Sequence, residues 1–153
     1  VSDPGSTGEH LDNGISFEVT WLDDDVVEMR VRADNGRFAG TADCYCDHED
    51  LARLAEALRG FPASLGDRRE FVVGTFDPDY AGGGAKLVLR CSDMVGHVVA
   101  DVTLRSDGRS SAGHPETTSL SLPIEPAAID AFVAGLGRIR LDVGVTAHLR
   151  QAT

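Results

Sequence analysis

Apolar and polar residues alternate strictly near the start of the chain. Ile15, Phe17, Val19 and Trp21 share one side, and Ser16, Glu18 and Thr20 the other. A period of two with one apolar side predicts a half-buried strand. Asp23-Asp24-Asp25 then predicts a charged turn. Val27, Met29, Val31 and Ala33 alternate with Glu28, Arg30 and Arg32, which predicts a second strand. Asp34-Asn35-Gly36 follows. Asn-Gly between two alternating runs marks a hairpin, because both residues tolerate positive φ. A third strand is predicted over 37–46, with Phe38, Gly40, Ala42, Cys44 and Cys46 inward and Arg37, Thr41, Asp43 and Tyr45 outward.

The period then changes. Leu51, Leu54, Ala55, Leu58 and Phe61 recur at three- and four-residue spacing. That is the stripe of an amphipathic helix. Asp47 is its predicted cap, and Gly60 and Pro62 end it. Strand patterns resume over 71–76, 85–91, 98–104 and 119–124, separated by turn-rich segments that include Asp77-Pro78-Asp79, Gly82-Gly83-Gly84 and the polar stretch 106–116. The glycine-rich connection is expected to be mobile. Pro126 suits the first position of a second helix, whose stripe is Ile129, Phe132, Val133 and Leu136 and whose stop is Gly137. After it, Ile139, Leu141, Val143 and Val145 alternate, so the end of the chain is either one more strand or a loose tail.

Successive strands joined by short turns imply antiparallel neighbours. The expected fold class is therefore α+β: a curved antiparallel meander sheet of about seven strands with two amphipathic helices packed on it. A two-sheet sandwich with peripheral helices is the alternative. The expected organisation is a flexible tail over 1–13, rich in Gly, Ser, Asp and Pro, a single domain over 14–139, and a terminal strand or tail over 140–153. The 153 residues suit one domain able to bury its own core.

Charge narrows the function classes. The chain has 14 Lys and Arg against 25 Asp and Glu, a net charge of −11. Such a field repels phosphate backbones and anionic membrane surfaces, so neither nucleic acid nor membrane is expected as a partner. It favours a basic protein, whose approach it would steer. No apolar run reaches the roughly 18 residues of a membrane span, and the start of the chain lacks the charged and apolar regions of a signal peptide. Three cysteines, Cys44, Cys46 and Cys91, are an odd count for a disulfide framework and fit reduced thiols in the cytoplasm.

Candidate chemistry is sparse. Cys44-x-Cys46-x-His48 brings together zinc-ligand types, with Cys91 as a conceivable fourth. Its cysteine spacing is shorter than that of zinc sites, and both cysteines fall on the apolar side of their strand, where a free thiol acts as a small hydrophobe. The aspartates at 23–25 and at 77 and 79 do not match the ligand spacing of a calcium loop. Cys91, His97 and Asp101 share one hairpin, which leaves a hydrolytic or small-ligand site near Cys91 and His97 as the alternative function. No phosphate-binding loop, nucleophile elbow or zinc-protease motif occurs, and no metal or cofactor is expected. The remaining candidate is a surface. The outward residues Arg30, Arg32, Asp43 and Tyr45, with the turn Asp23, Asp24 and Asp25, form the expected partner-binding set.

Four stretches carry a resemblance: Phe38-Ala39-Gly40, the run from Leu54 to Pro62, Gly96-His97-Val98, and the closing helix from Ala127 to Leu136. Together they resemble a broad set of uncharacterised bacterial proteins, some of which are similar to immunity proteins that neutralise polymorphic toxins. The resemblance spans about 15–139, and its motifs mark turns and helix ends. It implies a non-enzymatic domain that binds a partner, and it brings no catalytic residue.

Overall fold

The computed structural model describes residues 12–109 and 113–153. The expected N-terminal tail lies outside the described residues, apart from Asp12 and Asn13.

The first three strands follow the alternation. β1 (Gly14–Leu22), β2 (Val27–Asp34) and β3 (Ala39–Cys46) form an antiparallel meander. The Asn35-Gly36 turn closes as expected: Asn35 Oδ1 accepts from the N–H groups of Arg37 and Phe38, and Gly36 takes positive φ. Two side chains depart from the expected faces. β1 is irregular between Val19 and Trp21: Val19 pairs with Met29 but Trp21 pairs with Glu28. Thr20 is the extra residue of this β-bulge, and the bulge moves Trp21 from the inner to the outer face. Phe38 precedes β3 in the turn and is 62% exposed rather than inward.

α1 (Asp50–Leu58) buries Leu51, Leu54, Ala55 and Leu58. Its N-cap is Glu49, not Asp47. Asp47 instead organises the preceding turn, accepting from the Glu49 N–H at 2.9 Å. β4 (Arg68–Gly74), β5 (Gly84–Cys91), β6 (Val98–Arg105) and β7 (Thr117–Ile124) form a second meander. β4 begins three residues before the predicted run and leaves Phe76 outside. α2 (Pro126–Leu136) starts at its proline and is capped at Gly137, as the pattern indicates. β8 (Thr146–Arg150) then pairs antiparallel with β1.

The protein is thus α+β, but the single sheet of about seven strands is not what forms. There are two antiparallel sheets of four strands, in the orders β3-β2-β1-β8 and β4-β5-β6-β7. The break falls where α1 intervenes, so β3 and β4 are never joined by a tight turn. β3 instead crosses the end of the second sheet. Gly40 lies against Thr118 and Leu104, the Asp43 carbonyl accepts from Gly83 N–H at 2.8 Å, and Cys44 lies against Gly74. On the far side, α1 packs on α2 and β4, and α2 packs on β8. Both sheets and both helices therefore share one core, in which the rings of Phe17 and Phe132 lie 6.0 Å apart. The terminal segment holds a strand rather than a loose tail, but a shorter and later one than the alternation from Ile139 to Val145 suggests. It loops across 139–145 and then completes the first sheet, with Ala147 and Leu149 buried in the common core.

Candidate protein-binding face

The outer face of the first sheet is built in cross-strand rows, because facing residues of antiparallel strands point the same way. Nearest the β1–β2 turn, Trp21 faces Glu28 and Glu28 faces Tyr45. In the next row Glu18 faces Arg30 and Arg30 faces Asp43, and beyond that Ser16 faces Arg32 and Arg32 faces Thr41. Four of the sequence-predicted residues, Tyr45, Asp43, Arg30 and Arg32, therefore occupy one surface, and Asp23, Asp24 and Asp25 form the turn at its end.

Some of these residues have structural work of their own. Asp23 Oδ1 accepts from the N–H groups of Asp25 and Val26 at 2.9 and 2.8 Å, which holds its carboxyl below the usual range. Arg30 Nε donates to Asp43 Oδ1 at 2.9 Å. Both side chains are about half exposed, so water screens the pair to a contribution of ~1 kcal/mol or less. Arg32 pairs with Asp34 at 3.0 Å within its own strand. Asp24 and Asp25 are exposed.

A groove of about 320 Å³ opens beside this face. Its sheet wall is Glu28, Thr41, Asp43 and Tyr45, and its other wall comes from the loops, through Gly82, Ser106, Asp107 and Arg109. Gly82 rests on the Tyr45 ring, where a Cβ would come within 2.8 Å of Cδ2, and its N–H donates to Asp107 Oδ2 at 2.8 Å. The connection expected to be mobile is thus pinned at its Gly82-Gly83 end. The Glu28 carboxylate beside the Tyr45 hydroxyl raises its pKa, so the phenol stays protonated.

Sequence reasoning missed Trp21 and the loop wall. Trp21 is 47% exposed and Tyr45 44%. The bulge has no signature in an alternating pattern, so nothing in the sequence exposes Trp21. The three consecutive glycines were the only signal of close approach by the loop.

The other candidates resolve differently. Cys44 is fully buried, and burial pushes its thiol up to about 12. Cys46 is likewise pushed up to about 12, by burial and then by the carboxylates of Asp50 and Asp47. His48 lies with Nε2 2.6 Å from the Asp23 carbonyl. Among the described residues no group of three His, Cys, Asp or Glu side chains is placed to hold a metal ion. On the β5–β6 hairpin, His97 Nδ1 pairs with Asp93 Oδ2 at 2.5 Å, which raises the imidazole pKa and lowers that of the carboxyl. The Cys91 thiol and the Ser92 hydroxyl both donate to backbone carbonyls, those of Asp93 and His97. Asp101 pairs with Arg90 at 2.8 Å and accepts from Ser121 Oγ at 2.6 Å. Cys91 and His97 are thus both held by Asp93, while Asp101 is held by Arg90 and Ser121, so these bonds do not join the three residues into one site.

No helix among the described residues is long and apolar enough to cross a membrane. No known protein family, curated protein or solved structure matches the chain.

Proposed function

We propose that this is a non-enzymatic, cytoplasmic protein-binding domain, immunity-like in kind, that takes a basic partner on the outer face of its first sheet. One observation carries the reading: two half-exposed aromatic rings, Trp21 and Tyr45, flank Glu28 at the acidic end of that face. Aromatic residues that are rigid and partly exposed are the usual anchors of protein interfaces. Surrounding carboxylates attract a basic surface and reject acidic ones. Partly exposed aromatic rings also attract arginine and lysine side chains. Support also comes from the three free thiols, which suit a reducing compartment, and from the resemblance to immunity proteins.

The test is affinity capture from lysate of the source cells with the wild-type chain and with a Trp21→Ala/Tyr45→Ala double variant. The expected result is one stoichiometric basic protein, retained at low salt, weakened at high salt and lost with the double variant. A partner retained equally by both chains, or no partner at all, overturns the proposal.

A further inference from the structure

Among the described residues β8 is an edge strand, and the half of its backbone that faces away from β1 is open. Val19 N–H donates to the Val145 carbonyl and Gln151 N–H to the Asn13 carbonyl, both at 2.9 Å. In an antiparallel ladder the hydrogen-bonded positions recur every second residue. Ala147 and Leu149 therefore bond to β1, and the N–H and C=O groups of Thr146, His148 and Arg150 point the other way. Among the described residues no backbone group pairs with them.

That edge does not face bulk water alone. A cleft of about 270 Å³ lies between it and α2. Thr146, His148 and Arg150, whose side chains belong to the outer face, line it together with Ala147 from the inner face. Residues of both faces meet one space only along a strand's edge, so the cleft opens on the unpaired backbone. Its other wall is apolar and includes Phe132, Leu136 and Ile139.

We propose that this edge binds an extended peptide segment of a partner protein as an added strand, with apolar residues inward and an acidic residue opposite Arg150. Each of the three open residues presents a donor and an acceptor. A carboxylate or an apolar small molecule would leave the carbonyls unpaired, whereas another backbone satisfies both sets at once. The side chains of an added strand alternate in step with β8. Those opposite Ala147 and Leu149 enter the apolar cleft, and those opposite Thr146, His148 and Arg150 stay outside. Charge selects the outer residue. Arg150 is exposed, its nearest carboxylate among the described residues is Asp12 at 3.9 Å, and Arg138 and Arg140 flank the lining residue Ile139. In an otherwise acidic protein this end favours an acidic side chain. The site lies at the opposite edge of the sheet from Tyr45 and does not depend on the function proposed above.

The probe is the peptide acetyl-Glu-Val-Thr-Val-Thr-amide, titrated into the whole chain and followed by amide NMR and hydrogen exchange. In the free protein the amides of Thr146, His148 and Arg150 exchange faster than those of Ala147 and Leu149. Peptide slows them, with shifts confined to β8 and α2. N-methylation of the middle threonine removes one inter-strand hydrogen bond and weakens binding about tenfold. Ala131→Phe, which fills the cleft from an exposed helix position, abolishes binding while the rest of the spectrum is unchanged. Shifts that map elsewhere, equal binding of the N-methylated peptide, or no binding overturn the proposal. So does an edge already protected in the free protein with the mass of a dimer, which would assign β8 to a second copy of the chain.

Discussion

Gly74 holds φ at +72°, with its Cα turned towards the Gly83 carbonyl and the Cys44 side chain. A methyl group there would strain the backbone and strike the Cys44 Cβ at 2.8 Å, at the point where β3 crosses the second sheet. Gly74→Ala is therefore expected to lower stability by about 2 kcal/mol or more, read as a shift in urea midpoint. His148 matters through protonation. Among the described residues neither ring nitrogen has a hydrogen-bond partner, and burial, with Arg150 nearby, lowers its pKa below 6.5. A base whose folded pKa is depressed stays neutral in the fold while the unfolded chain takes up the proton. Its contribution is present above the unfolded pKa of about 6.5 and is lost as pH falls towards the folded value. Stability should thus fall as pH drops below about 6.5, and His148→Gln should flatten that part of the profile. His97 acts in the opposite sense. Its raised pKa gives stability below about 6.5 that is lost as pH rises, but the exposed Asp93 pair is screened, so the His148 slope dominates.

At the scale of elements, the helices obey their local patterns and depend on neighbours for their ends. The last turn of α1 contains no basic residue. Arg69, from β4, takes that place, with Nη1 donating to the Arg59 carbonyl at 2.5 Å and to Ala57 at 3.3 Å while its guanidinium covers the Phe61 ring at 5.3 Å. Arg69→Met keeps the stem but loses these bonds and the favourable charge at the helix end, at a cost of about 1–2 kcal/mol in thermal or urea unfolding. α2 offers the reverse case. A Cβ at Gly135 would meet nothing within 4 Å, so Gly135→Ala should stabilise the protein by about 0.5–1 kcal/mol, since the glycine serves no turn. β1 shows what an element-level pattern hides. Its alternation was legible, but one extra residue at Thr20 reversed the face of everything after it until the partner strand ended.

For the whole molecule, charge has two consequences of opposite sign. A net charge of −11 repels itself in the compact state, and salt screens that repulsion. Raising ionic strength from about 20 to 500 mM should therefore raise the melting temperature by a few degrees. The same salt should weaken capture of a basic partner at the Trp21–Tyr45 face. A partner whose binding strengthened with salt would point to apolar docking elsewhere.

Local order was readable from residue periodicity. The first seven strands, both helices, the Asn35-Gly36 hairpin, and the start and stop of α2 follow from spacing, backbone preference and missing donors, all of which act over a few residues. The outward placement of Arg30, Arg32, Asp43 and Tyr45 was readable for the same reason. Long-range packing decided the rest. The division into two sheets, the crossing of β3, the docking of β8 on β1, the exposure of Trp21 and the loop wall of the groove each depend on which distant surfaces meet. Alternation states that a strand has a buried face, but not which element buries it, and that choice is made only when the whole core closes.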